Sequence, residues 1–435
     1  MKYYSTNNKN NIVSFKTAVL EGLAADGGLY MPLIIPKMEN EYFSKNKNHS
    51  FKNTAFPILK KYIEDEIPEN DFIDIVDNIF TFNSPLVLLD NNTMVLELFN
   101  GPTLAFKDFG AQFTAAVTEY FNKNEKRKLI ILVATSGDTG SAVANGFYNK
   151  NGIEVVVLYP KNKISFLQEK QITTLGGNVK ALEIEGTFDD CQRLVKTAFN
   201  DKFLKNNIRL SSANSINIAR LLPQMIYYYD AYFNCSESAE NIVFTVPSGN
   251  LGNLTAGLIT KKMGLPVNKF IAALNINDVF NKYLKTSVFK SEKSVKTYAN
   301  AMDVGNPSNL ARIIDLYNNE HKKIMDDVVS NKINDDEILN GIKEVYTKYG
   351  YIIDPHGAVG YAATKKMQDK FSKNTQFIIL ETAHPAKFYE IIENALNKKI
   401  EKPDRLTKCI DREKKSSVLS SNYEDLKEYL LSINE

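Results

Sequence analysis

The chain has 435 residues, with 53 Lys plus Arg against 51 Asp plus Glu and a formal net charge of +2. That balance leaves no electrostatic footprint for nucleic acid or an anionic membrane, and a small-molecule protein of two or three domains is expected. Cys191, Cys235 and Cys409 are widely spaced without a Cys-x-x-Cys pair, and the histidines are His49, His321, His356 and His384; this argues against a disulfide framework or a metal cluster and fits a reducing compartment. The first residues carry no apolar signal core and no apolar run reaches about eighteen residues, so a soluble, cytoplasmic protein is expected.

Residues 14–23 place Phe15, Val19 and Leu20 or Leu23 on one helical face, with Ser14 suited to the N-cap. Asp26-Gly27-Gly28 is expected to end that helix, and Leu29-Tyr-Met-Pro32 to enter an extended segment. The Asn- and Lys-rich stretches 7–11 and 44–53 read as solvated loops. Residues 51–64 and 70–80 read as amphipathic helices, and 86–89 and 94–98 as strands around an Asp90-Asn-Asn turn.

Beyond residue 107 strands alternate with helices, the signature of a mostly parallel sheet covered on both faces. Apolar runs at 129–134, 154–160, 179–184, 241–247, 270–275 and 377–380 predict buried strands. Helices are predicted over 141–148, 164–175, 216–233, 254–263, 335–349 and 385–396. Thr187-Phe-Asp-Asp190 reads as a capping box opening a further helix of about eighteen residues. The tyrosines at 227–229 read as packing, and the lysine-rich region 397–417 as a solvated face.

One lysine stands out. In residues 97–110, Glu-Leu-Phe-Asn-Gly-Pro-Thr-Leu-Ala-Phe-Lys-Asp-Phe-Gly, Lys107 is crowded by Leu104, Ala105, Phe106 and Phe109. Partial desolvation lowers a lysine pKa, as Schiff-base chemistry with an aldehyde requires; the alternative is a lysine whose stem lies on apolar surface with its head in water. Two further stretches join a strand to a helix through small residues: Thr135-Ser-Gly-Asp-Thr-Gly-Ser-Ala142 and Ser248-Gly-Asn-Leu-Gly-Asn253. Free N–H groups and the positive end of a helix dipole converge at such junctions, so each loop can hold a phosphate or carboxylate, or serve only as a tight turn. Neither contains Gly-x-Gly-x-x-Gly or a Walker motif. Thr382, at the end of the last strand, can meet a heterocycle nitrogen or cap the helix that Pro385 begins, and His356 and His384 can be bases or structural.

These residues together resemble the pyridoxal-phosphate enzymes of fold type II, which include the tryptophan synthase β-like enzymes, and more narrowly the threonine synthase family. The resemblance covers nearly the whole chain. It rests on the glycine loops, on Lys107 and its neighbours, on residues 217–224 (Asn-Ile-Ala-Arg-Leu-Leu-Pro-Gln) and on residues 382–387 (Thr-Ala-His-Pro-Ala-Lys). Residues 22–32, Gly-Leu-Ala-Ala-Asp-Gly-Gly-Leu-Tyr-Met-Pro, and 301–309, Ala-Met-Asp-Val-Gly-Asn-Pro-Ser-Asn, are more particular to the narrower family.

The resemblance implies an α/β fold with two open, mostly parallel sheets, an active site between them and a mostly helical N-terminal extension. The expected domains are 1–95, 96–225 with the lysine, and 226–435 with the cofactor-phosphate loop. It implies a pyridoxal 5′-phosphate lyase that converts O-phospho-L-homoserine and water to L-threonine and phosphate, as a monomer or a homodimer. Lys107 is implied to carry the Schiff base and move protons. Ser248, Gly249, Asn250, Leu251, Gly252 and Asn253 are implied to hold the cofactor phosphate, Thr382 to face the ring nitrogen and Asp138 to sit near the ring hydroxyl. Ser136, Gly137, Thr139, Gly140 and Ser141 are implied to cradle the substrate carboxylate. Asn306, Lys161 and Arg312 are candidates for a second phosphate. Where relatives often carry Asn this chain has Asp138, and where they usually carry Phe it has Leu251. A threonine or serine dehydratase-like lyase and a non-catalytic cofactor-binding protein are the rival expectations.

Overall fold

The buried apolar runs of the sequence assemble into two separate parallel sheets. The computed structural model describes residues 1–45, 50–235 and 241–433. The chain divides into a first unit, residues 1–2, 31–106 and 221–401, and a second, residues 3–30, 107–220 and 402–435. These units interleave along the chain, whereas the sequence reading lays three domains end to end.

In the first unit the strand order is Val328–Lys332, Lys269–Leu274, Asn241–Pro247, Thr375–Glu381, Thr93–Glu97, Leu86–Asp90. All neighbours run parallel except Leu86–Asp90, which returns as an antiparallel edge. Its turn closes when Asn92 donates its backbone N–H to Asp90 Oδ1 at 3.0 Å. Alternate residues serve opposite faces: Val243, Ile271 and Ile379 pack with Ile338, Ile342 and Val359, while Phe244 and Phe270 meet Tyr228 edge to face. The tyrosines at 227–229 are buried, as their packing role requires.

In the second unit Ser417–Ser420, Val179–Glu185, Ile153–Pro160, Leu129–Ala134 and Arg209–Ser211 form an all-parallel sheet. Ile130, Leu132, Val156 and Leu158 pack with Leu194, Ala198, Leu426 and Leu430 on one face. Ile131, Val133, Val155 and Val157 pack with Val143, Ala144 and Phe147 on the other. The α/β class with two helix-covered parallel sheets agrees with expectation. No helix among the described residues is long and apolar enough to cross a membrane.

Several local expectations are corrected. Residues 7–11 are not simply a loop, because Asn8–Ser14 is a strand in a small sheet with Lys2–Ser5 and Tyr30–Pro32. Of the stretch 44–53, residues 46–49 lie outside the described residues, and Phe51 opens the helix Phe51–Ile63. The first helix, Phe15–Glu21, has Ser14 as N-cap but closes at Gly22 with φ 70° rather than at Asp26. The capping box at Thr187 opens a helix of only 13 residues, Phe188–Asn200. It stops because Asp201 takes the N–H groups of Phe203 (2.7 Å) and Leu204 (3.1 Å), starting the new helix Lys202–Asn207. Helix 216–233 is split at Pro223 into Ile218–Leu221 and Gln224–Asn234. In region 397–417 Asp404–Thr407 is helical, and Lys414 pairs with Glu169 at 2.7 Å and Glu183 at 2.9 Å. Pro355–Met367 is a helix buried almost all round, so it lacks the one-sided periodicity that sequence reading needs.

Candidate active site

In the second unit Lys107 opens the helix Lys107–Asn122, with its side chain only 16% exposed and its Nζ 3.6 Å from Asp138 Oδ2. Asp138 is buried and begins the helix Asp138–Gly146, just past the carboxyl end of the strand Leu129–Ala134. Next to Lys107, buried Asp108 contributes negative charge that partly counters the effect of burial on Arg220, whose guanidinium is pushed down to about 10. Arg220 donates to the Ala213 carbonyl oxygen. A Cβ at Gly110 would lie 2.7 Å from the Arg220 carbonyl oxygen, so glycine lets this helix approach its neighbour.

The loop between that strand and helix is organised from inside. Thr135 Oγ1 accepts the N–H groups of Gly137 (2.9 Å) and Gly140 (2.8 Å) and donates to the Gly137 carbonyl at 3.1 Å. Gly137 stands at φ 140°, in the region that favours glycine, and the helix has no side-chain cap. Ser141 is fully buried, and its hydroxyl and N–H both go to the Gly137 carbonyl at 3.2 Å. Gly137, Gly140 and Ser141 therefore spend their donors within the loop. Ser136 and Thr139 are only half buried and are the outward-facing members of the predicted set.

In the first unit, residues 248–253 join the strand Asn241–Pro247 to the helix Gly252–Met263. Leu251 takes a left-handed conformation at φ 60° and gives this helix no side-chain cap; the Leu254 N–H goes to Asn253 Oδ1 at 3.0 Å, so the helix start offers an anion the N–H groups of Gly252 and Asn253. The loop is held from behind. Ser248 donates to Asn253 Oδ1 at 2.7 Å, Asn253 donates to the Pro247 carbonyl at 2.8 Å, and Tyr228 donates to the Asn253 carbonyl at 2.8 Å. Asn250 accepts the Ser308 N–H on Oδ1 at 2.6 Å and the Asn309 side-chain amide on its carbonyl at 3.0 Å. A Cβ at Gly249 would lie 2.7 Å from Met302 Cα and 3.0 Å from the Ala301 carbonyl oxygen. Residues 301–309 thus buttress this loop.

Thr382 follows the strand Thr375–Glu381, a parallel neighbour of Asn241–Pro247, so Thr382 and residues 248–253 emerge at the same edge of one sheet. Its carbonyl accepts the Phe106 N–H at 2.9 Å. The cap of the turn that Pro385 begins is His384, whose Nδ1 accepts the Ala386 N–H at 3.1 Å. Thr382 does not fill that role, and His384 has a structural one. His356 is buried too: Nδ1 meets Asp354 Oδ2, and Nε2 accepts the Ala301 N–H at 3.2 Å. It is a brace on the buttress.

Among the candidates for a second anion, Lys161 pairs with Glu185 at 3.2 Å. Arg312 is fully buried, pushed down to about 9 by burial, and donates to Asn309 Oδ1 at 2.7 Å, so it serves the buttress. Asn306 is exposed on the same stretch. Sequence reasoning assigned no role to Thr135, Gln168, Asn309 or Asp354. For Gln168 a signal existed, since Ser165-Phe-Leu-Gln168 is a capping-box pattern.

Comparison with known proteins places this geometry in its class. A family model described as pyridoxal-phosphate dependent enzyme matches residues 82–382. Models for the threonine synthase N terminus and C-terminal region match residues 2–80 and 357–430. The threonine synthase of Buchnera aphidicola subsp. Acyrthosiphon pisum is 43% identical over 99% of this chain and 100% of its own. The crystal structure of Escherichia coli threonine synthase superposes with a TM-score of 0.93 at 39% identity, covering 100% of both chains. The pyridoxal-phosphate-bound threonine synthase of Brucella melitensis does so with a TM-score of 0.92 at 33% identity, again over 100% of both. The chain belongs to the threonine synthase family of pyridoxal-phosphate-dependent enzymes. It is a lyase that works with pyridoxal 5′-phosphate.

Proposed function

We propose that this chain converts O-phospho-L-homoserine and water to L-threonine and phosphate, with Lys107 as the amine that bonds the cofactor's aldehyde carbon. The observation that carries this reading is the Lys107 amine itself, 16% exposed and 3.6 Å from a buried carboxylate. A lysine whose role was solvation has no reason to be there. The residues fit the cofactor on two further counts. The start of the helix Gly252–Met263 supplies the Gly252 and Asn253 N–H groups for its phosphate, and the close approach of Met302 to Gly249 leaves no room there for any side chain but hydrogen.

In this reading residues 249–253 hold the cofactor phosphate, supported by Ser248, while Thr382 offers its ring nitrogen a neutral hydroxyl and Asp138 sits by its ring hydroxyl. When bound, pyridoxal phosphate supplies an electron sink for charge that develops beside the substrate amino group. Ser136 and Thr139 take the substrate carboxylate on their amides and hydroxyls, and the dipole of the helix Asp138–Gly146 adds to that attraction. Gly137, Gly140 and Ser141 shape the loop. The Lys107 amine then removes the proton at Cα and one at Cβ, the γ-phosphate leaves with the Cγ–O bonding pair, and the hydroxyl of water adds at Cβ; of the three protons released from Cα, Cβ and water, one goes to Cγ, one returns to Cα and one goes to the phosphate. Asn306, exposed on residues 301–309, is assigned to the substrate's phosphate.

The test is the visible spectrum of the purified protein with pyridoxal phosphate, followed by phosphate release from O-phosphohomoserine. A visible band that borohydride bleaches, absent from Lys107→Ala, together with stoichiometric phosphate and threonine, is expected. A colourless wild type, or formation of 2-oxobutanoate from threonine with no phosphate released from O-phosphohomoserine, overturns the reading.

A further inference from the structure

Gln168 is a fully buried amide between two hydrogen-bonding partners, and it was named in no part of the predicted site. It is the third residue of the helix Phe166–Thr173. Its Oε1 accepts the Ser165 N–H at 3.2 Å, and Ser165 Oγ accepts the Gln168 N–H at 3.3 Å, a reciprocal capping box. The cap determines which way round the side-chain amide stands: turned over, it would set its NH2 against the Ser165 donor. With the oxygen committed to Ser165, Nε2 faces Asp138 and donates to Oδ1 at 3.0 Å. The other oxygen, Oδ2, is the one 3.6 Å from Lys107 Nζ.

The surroundings are built for this contact. A Cβ at Gly137 would lie 2.4 Å from Gln168 Cδ, so the glycine preceding Asp138 is what admits the glutamine. The helix carrying Gln168 is tied down along its length by the C-terminal part of the chain. Lys170 Nζ donates to the Arg412 carbonyl at 2.7 Å, and the Lys415 N–H donates to the Thr173 carbonyl at 2.8 Å. Lys414 pairs with Glu169 at 2.7 Å.

We propose that Gln168 is a positioning residue of the active site, which holds Asp138 as an acceptor on Oδ1 and turns Oδ2 toward Lys107. A side chain that donates to one carboxylate oxygen opposes protonation there and stops the carboxylate rotating. The amine that bonds the cofactor is thereby kept beside a fixed negative group. This inference rests on the proposed role of Lys107.

Two substitutions separate positioning from capping. Gln168→Glu keeps an oxygen for the Ser165 N–H, so a merely structural role leaves it like the wild type. Positioning predicts a carboxylate turned against Asp138, with pyridoxal phosphate bound at least about tenfold more weakly in a fluorescence titration and a weaker visible band, while circular dichroism is unchanged. Ser165→Ala removes the hydroxyl half of the cap but leaves the Gln168 amide facing Asp138, and it is expected to keep cofactor affinity to within about threefold. Wild-type affinity in Gln168→Glu, or an equal loss of affinity in folded Ser165→Ala, overturns the inference while the Lys107 reading stands. A wild type without the borohydride-sensitive band overturns that reading and this inference with it.

Discussion

The side-chain amide of Asn309 donates to the carbonyl oxygen of Asn250 at 3.0 Å, across 59 residues of sequence. The tip of the loop proposed to take the cofactor phosphate is therefore shaped by residues 301–309. Asn309 is itself held by buried Arg312, so the buttress has a charged group behind it with no access to solvent.

Asn309→Ala leaves the Asn250 carbonyl without this donor. A lost buried hydrogen bond costs about 1–3 kcal/mol, so cofactor affinity is expected to fall by about tenfold while the fold survives. Equilibrium dialysis against pyridoxal phosphate reads this directly, and an unchanged dissociation constant contradicts the buttress.

Gly249→Ala puts a methyl 2.7 Å from Met302 Cα and 3.0 Å from the Ala301 carbonyl oxygen. Both are backbone atoms and cannot swing aside as a side chain would. Overpacking of this kind costs about 1–3 kcal/mol. The protein is expected to lose its cofactor on dialysis and to unfold at lower urea than the wild type.

His384→Ala removes the acceptor for the Ala386 N–H and is expected to lower stability by about 1 kcal/mol, whereas His384→Asn, a good N-cap, keeps most of it. Urea denaturation of the three proteins distinguishes this from a catalytic role, in which Asn fails as badly as Ala in turnover.

Asp230 is buried with Ser84 donating to its Oδ2 at 2.6 Å. Burial raises its carboxyl to about 6, against a smaller lowering by Ser84. The folded state thus binds the proton more tightly than the unfolded chain, whose aspartate titrates near about 3.9. The contribution is fully present below about pH 4 and is lost as pH rises through about 6, on the order of 3 kcal/mol in all. Asp230→Asn is expected to narrow the difference in unfolding free energy between pH 4.5 and pH 7.5, measured in urea at about those two values.

Much of the candidate site was legible because it is local. Lys107 among apolar neighbours, the two small-residue loops after buried strands and Thr382 after a third are each patterns of a few consecutive residues. The parallel sheets were legible for a similar reason, since strands covered on both faces read as unbroken apolar runs, as in Leu129–Ala134 and Thr375–Glu381. The elements that escaped lack such a mark. Asn8–Ser14 is polar along most of its length, and Ser417–Ser420 is four residues at a sheet edge. Both are strands because a partner supplies hydrogen bonds, which composition does not record.

By itself the sequence singled out the residues proposed to carry the chemistry and placed both loops at the carboxyl ends of parallel strands. Only the tertiary structure decided how those residues are held. Thr135 draws Gly137 and Gly140 inward, leaving Ser136 and Thr139 to face out. Asn309 and Met302 shape the loop around Gly249, and Gln168 orients Asp138 from thirty residues away. The physical reason is that a hydrogen bond needs a distance and a direction, and both are set by packing between segments far apart in the chain.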